Sequence, residues 1–207
     1  MGPERGAIIA GGGGTLSQEI YRRFVQLAGG AGARIVVIPT AGTAYGGQDG
    51  WRAIEELRTA DTETHRELEK LLERGGVIGG NSAGASALAS FLIRGGEYNG
   101  EIVATERADG FGFLRNVALD QHLSERGREF EMFEVLRRAP HVLGIGLNEG
   151  AAIVVTGDLA RVVGGRVAIY DITDPLTLIP MRWLSPGDVY DLGARRIVLS
   201  EEGLRGG

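Results

Sequence analysis

The chain has 207 residues, a length that predicts a single domain spanning 1–207. Apolar residues make up 43% and charged residues 24%, a balance that argues against disorder, and the net charge of −5 gives no electrostatic reason to hold nucleic acid or an anionic membrane. Cysteine is absent, which removes disulfides, thiolate metal sites and a cysteine nucleophile together.

The elements follow in chain order. Gly6–Gly11 predicts a short apolar strand ending in a run of four glycines, Gly11–Gly14, with a helix after it near Ser17–Leu27. Arg34–Pro39 reads as a second buried strand, and two helical patterns succeed it, Trp51–Arg58 and Thr62–Glu73. Gly76–Gly80 predicts a third strand and Ser82–Leu92 a helix throughout. Val117–Asp120, Val142–Ile145 and Ala151–Val155 read as further strands, with an amphipathic helix near Glu125–Arg138 between the first two. After Gly157 the pattern shifts to short strands at Arg161–Val163, Arg166–Ile172 and Asp188–Leu192, an antiparallel edge. Strands alternating with helices of this length predict an α/β fold with a doubly wound, mostly parallel sheet. Glycine, at 35 of 207, far exceeds its average usage of about 7% and gathers where strands end, so it reads as loop chemistry. The longest apolar run is about five residues, too short to span a bilayer, and the first residues carry no signal-peptide pattern. The expected compartment is the cytoplasm.

The sharpest motif is Gly80-Asn81-Ser82-Ala83-Gly84, a G-x-S-x-G set between a strand and a helix. A serine on such a turn must adopt strained dihedrals, and small neighbours leave room for them. Its hydroxyl then stands clear of the sheet beside backbone N–H groups able to stabilise an oxyanion. The plain alternative is a glycine-rich turn in which Ser82 caps the helix. A serine nucleophile needs a base. Of His65, His122 and His141, too far apart for a zinc helix, His122 is best placed because it follows a strand at the carboxyl end of the sheet. His65 falls in a charged helix, on its solvated face, and His141 starts a strand. The orienting acid is either Glu149, after the run GIGLN, or Asp120 beside His122.

Taken together, these segments resemble the serine peptidases that include cyanophycinase and dipeptidase E (aspartyl dipeptidase). The resemblance covers most of the chain: GAIIAGGGG and AGGAGARIVVIPTAG, GGVIGGNSAGASALA, VALDQHLSERGR, HVLGIGLNEGAAIVV and PGDVYDL. It implies a three-layer α/β/α sandwich related to class I glutamine amidotransferases, a homodimer and no cofactor or metal. By matching position it implies Ser82 as nucleophile, His122 as general base and Glu149 as the residue orienting it. Asp120, Gln121, Arg126 and Arg128 match positions that line the cyanophycinase pocket, with Asn81 and Ala83 flanking the nucleophile. Gly47 and Gln48 lie in the nearest match to a Gly-Gly-Asp-Gln turn that contributes to the oxyanion hole.

Three departures accompany this likeness. The stretch between Thr40 and Gly76, where two helices are already expected, is too short for the family's additional strand-and-helix unit, which normally takes about 30 residues or more. The turn reads Gly46-Gly47-Gln48-Asp49, its last two residues reversed, and Glu131 stands where cyanophycinases carry another arginine. The expected function is hydrolysis of small or aspartate-containing peptides, or of an aspartate-based polymer, by a Ser-His-Glu triad. The alternative is a catalytically impaired relative that binds a peptide or a protein partner. An amidotransferase-like glutaminase is disfavoured because there is no cysteine.

Overall fold

The computed structural model describes residues 1–38, 62–93, 110–173 and 180–199. The first apolar run forms β1 (Ala7–Gly11), buried along its whole length. It leads into α1 (Gln18–Leu27), whose Ile20, Phe24 and Leu27 fall at helical spacing on one face. Thr62 caps α2 (Glu63–Glu73) by accepting the His65 backbone N–H at 3.2 Å. Then come β2 (Val77–Asn81), α3 (Ala83–Leu88), β3 (Ala89–Leu92) and β4 (Leu114–Gln121). After a 3₁₀ turn at Ser124–Arg126 stand α4 (Met132–Arg138), β5 (Leu143–Leu147), β6 (Ala152–Thr156), β7 (Leu159–Val163) and β8 (Val167–Tyr170). The last strands are β9 (Met181–Leu184), β10 (Val189–Asp191) and β11 (Arg196–Leu199).

The strands form two sheets, ordered β11-β10-β7-β6-β1-β2 and β3-β4-β5-β8-β9. Within strands, alternate residues face opposite sides. Ile8, Ile153 and Val155 from the first sheet meet Val117, Leu119 and Ile145 from the second in one shared apolar cluster. On the outer face of the first sheet, α1 packs Ile20 and Phe24 against Ile9, Val77 and Val154. On the outer face of the second, α4 packs Met132 and Leu136 against Ala118, Ala168 and Tyr170.

The α/β class is as expected, but the sheet is not one mostly parallel layer. Among the described residues only β1–β2, β3–β4 and β4–β5 pair in parallel, and the other six pairings are antiparallel. Among the described residues two mixed sheets sharing a core therefore stand where the strand pattern predicts one doubly wound sheet and the resemblance implies a three-layer sandwich. The hairpin β6–β7 and the strands β8 and β9 return directly along the chain, which makes antiparallel neighbours without crossover helices.

Other local departures have identifiable causes. Residues 34–38, expected as a buried strand, form none, and Val36 is 85% exposed. β1 pairs with β2 and β6 instead, so these residues do not flank it. The helix expected over Ser82–Leu92 stops at Leu88, and its tail becomes β3 because pairing with β4 outweighs helix propensity. At the register shift between Ala89 and Phe91, the Ser90 hydroxyl accepts the Val117 N–H at 3.2 Å and fills the ladder. The helix expected over Glu125–Arg138 is broken at Gly127, whose φ of +62° no continuing helix allows. The expected helix Trp51–Arg58 lies outside the described residues.

Candidate active site

The two sheets bring four strand ends together. Gly11 closes β1 in register with Asn81 at the end of β2, and Gln121 closes β4 in register with Leu147 at the end of β5. The glycine loop after β1 ties these ends to one another: Gly11 O accepts the Ser82 N–H at 2.9 Å, and Gly12 O accepts the His122 N–H at 2.9 Å. One loop thus fixes residues from both sheets.

Ser82 has φ 55° and ψ −123°, a conformation that costs a non-glycine residue roughly 1–3 kcal/mol. It stands at the N-cap position of α3 but makes no side-chain cap hydrogen bond, so the plain capping role does not account for it. Gly80 makes the turn possible, because a Cβ there would lie 2.3 Å from Gly84 O. The Ser82 hydroxyl instead lies 2.8 Å from His122 Nε2, with a longer contact of 3.4 Å to Gln121 Oε1. His122 Nδ1 lies 2.5 Å from Glu149 Oε1. With Nδ1 donating to the carboxylate, Nε2 is left to accept the hydroxyl proton. Serine, imidazole and carboxylate form an unbroken hydrogen-bonded chain.

The remaining predicted residues divide. Asn81 is turned to an internal task, its Oδ1 accepting the Gly13 N–H at 2.9 Å and holding the glycine loop against the elbow. Ala83 opens α3, where the N–H groups have no partner within the helix. Arg126 is exposed one turn past His122, whose carbonyl accepts its backbone N–H at 3.1 Å. Asp120 is not the acid beside His122. It is buried on the α4 side of β4, sharing the face of Ala118, and its ion-pair partner is Arg128 at 3.5 Å. Burial pushes the Asp120 carboxyl up to about 6, against the opposing pull of Arg128 and of the Gln121 N–H. Arg128, expected in the pocket, is consumed by this pair and by Glu131 at 4.0 Å, because the turn at Gly127 sends it inward. Gly47 and Gln48 lie outside the described residues. His65 is half-buried, not solvated, with Nε2 3.0 Å from Phe111 O and its ring against Phe111 and Phe113. Among the described residues no group of three His, Asp or Glu could hold a metal ion.

Sequence reasoning treated Gly11–Gly14 as turn chemistry and missed their part in the site. Gly13 has φ +102°, and a Cβ on it would stand 2.2 Å from the His122 ring. A Cβ on Gly14 would stand 2.6 Å from Glu149 Oε2. The loop is the wall against which the imidazole and carboxylate lie. The signal for it was the uninterrupted glycine run itself, longer than a strand-to-helix turn requires.

Comparison with known proteins points to a peptidase family. The model of peptidase family S51 matches residues 46–163. A cyanophycinase of Synechococcus elongatus is 30% identical over 140 residues, 58% of this chain and 44% of that protein. A cyanophycinase of Geminocystis herdmanii (strain PCC 6308) is 32% identical over 153 residues, 64% of this chain and 56% of that protein. The chain spans about half the length of the curated relatives it matches. Among solved structures, a peptidase from an acI-B1 Actinobacterium superposes with a TM-score of 0.58 at 19% identity, covering 92% of this chain and 98% of that one, a likeness of fold. The family match runs through more than half of the chain and contains Ser82, His122 and Glu149, so the chain belongs to peptidase family S51.

Proposed function

We propose that the protein is a serine-type peptidase acting on small or aspartate-containing peptides, with Ser82 as nucleophile, His122 as general base and Glu149 as its orienting acid. The observation that carries this reading is a serine held in a strained turn with its hydroxyl 2.8 Å from an imidazole that is itself fixed by a carboxylate. His122 Nε2 takes the hydroxyl proton as Ser82 Oγ bonds to the peptide carbonyl carbon, and the carbonyl oxygen becomes an oxyanion. The Ala83 N–H is the donor we assign to that oxyanion, since the residue after the nucleophile commonly supplies one. His122 then gives its proton to the leaving amine, and the C–N bond breaks to leave an acyl-enzyme. Water, deprotonated by the same imidazole, hydrolyses the ester and regenerates Ser82. Throughout, Glu149 holds the imidazole tautomer and offsets the charge of the imidazolium.

Kinship with proteins named cyanophycinase and the exposed guanidinium of Arg126 favour substrates carrying an aspartyl carboxylate, which a guanidinium grips with two parallel hydrogen bonds. Gln121 and the main chain around Asn81 lie close enough to Ser82 to line the same site. We extend the proposal to a single domain, from the chain's length, to a homodimer, from the resemblance, and to the expected cytoplasmic compartment. A fluorophosphonate probe tests the reading. Labelling of the wild type and not of Ser82→Ala supports it, and equal labelling of both favours a binding protein instead.

A further inference from the structure

Glu149 reaches His122 from an exposed turn between β5 and β6, and its side chain is 42% exposed. A free glutamate in that setting would sample many rotamers, and holding it in one costs entropy. The turn that carries it is tied to the histidine turn by two hydrogen bonds of opposite sense, one of them to the Glu149 main chain. Asn148 Oδ1 accepts the Ser124 backbone N–H at 3.3 Å. Glu125 Oε2 accepts the Glu149 backbone N–H at 3.1 Å. Each turn lends a side chain to the other's main chain, and the Leu123 N–H to Leu147 O bond at 3.1 Å begins the same seam. On the far side, the Gly150 N–H to Gly13 O bond at 3.1 Å closes the acid turn against the glycine loop.

We propose that Glu125 and Asn148 form a reciprocal clasp between the histidine turn and the acid turn, and that Glu125 is a positioning residue that seats the Glu149 carboxylate on His122 Nδ1. The proposal rests on the reading of Ser82, His122 and Glu149 as the catalytic group. Neither clasp residue is hydrogen-bonded to Ser82 or to the His122 ring, so any effect on turnover passes through the placement of Glu149. An ionised carboxylate accepting a backbone N–H makes a hydrogen bond stronger than a neutral one, which suits a contact that must hold at the surface. A shift of about 1 Å in a catalytic group can cost about 10² in rate, so a modest bond has leverage here.

Glu125→Ala, Glu125→Gln and Asn148→Ala test the clasp, with thermal melts confirming that each variant folds. The first readout needs no turnover: the downfield proton resonance of the His122 Nδ1–H, identified by its loss in Glu149→Gln. It should be sharp in the wild type and in Glu125→Gln, whose amide oxygen can still accept, and broadened or lost in Glu125→Ala and weakened in Asn148→Ala. The second is kinetic. Glu125→Ala should lower kcat about tenfold with KM changed less than twofold, and Glu125→Gln should restore it. An unchanged resonance in Glu125→Ala overturns the proposal, as does a glutamine variant no better than alanine. If the resonance responds as expected while even the wild type cleaves no peptide, the clasp stands and the peptidase reading fails.

Discussion

The end of β4 leads into two ionisable pairs two residues apart, and they are built on opposite terms. His122 meets Glu149 at 2.5 Å with the carboxylate partly open to solvent, whereas Asp120 meets Arg128 at 3.5 Å with the aspartate side chain only 2% exposed. The first is short, lies against a glycine wall and leaves the imidazole free to exchange a proton with Ser82. The second is long and desolvated, and among the described residues Asp120 Oδ2 and Arg128 Nη1 have no hydrogen-bond partner. Burial raises the cost of charge at Asp120 more than Arg128 relieves it. Proximity alone therefore does not distinguish the two pairs. Solvent access, alignment and a free second nitrogen are what set the His122 pair apart.

Short of removing the nucleophile or its base, the largest effect should come from Glu149→Gln. A glutamine amide can donate to Nδ1 and favour the wrong imidazole tautomer, so kcat should fall by about 10⁴-fold while the serine-reactive probe still binds. If Asp120→Asn were far more damaging, the orienting acid would be Asp120.

Gly13→Ala should follow, with a loss of about 10² in kcat, because the new methyl would displace the His122 ring. The same change should destabilise the fold by about 1–3 kcal/mol through its φ of +102°. Gly84→Ala, with nothing within 4 Å of its Cβ, is the matched control in the same site.

The buried pair should make itself felt in stability. With its carboxyl raised to about 6, Asp120 holds its proton more tightly folded than unfolded. The folded state then binds more protons than the unfolded one between about pH 4 and 6, and stability falls as pH rises through that window. Measured by urea unfolding, Asp120→Asn should gain on the wild type by about 2–3 kcal/mol between pH 4 and 7. A constant difference across that range would mean that Asp120 titrates normally.

The smallest effect is expected at Arg126. Arg126→Ala should lower kcat/KM for an aspartyl peptide relative to its asparaginyl analogue by about three- to tenfold, the worth of one solvent-exposed charge contact. Arg128→Ala should instead lower the melting temperature, because it leaves Asp120 buried and unpaired. Equal specificity in wild type and Arg126→Ala would remove the carboxylate preference.

Much of this was legible in the residues. The strands β1, β5 and β6 are apolar runs bounded by glycine or polar residues, and burial on both faces makes such runs readable, as it does for the buried parts of β2 and β4. The strand β3 was not, because Ala89–Leu92 is a strand only through its pairing with β4. The elbow and His122 could be located because both follow strands. The choice between Glu149 and Asp120 could not be made by spacing. Strand parity alone would put Asp120 and His122 on one face, but His122 has φ +52°, which breaks the alternation and turns its ring toward Ser82. That dihedral is set by contacts with the glycine loop, made from a distant part of the chain.

The most direct test of the account is a double-mutant cycle on Ser82 and His122, reading kcat/KM on a short aspartyl peptide. If the two act as one unit, Ser82→Ala, His122→Ala and the double variant should lose about the same factor, on the order of 10⁴–10⁶. Losses that multiply, with the double variant slower than either single by the other's full factor, would contradict a shared serine–histidine step.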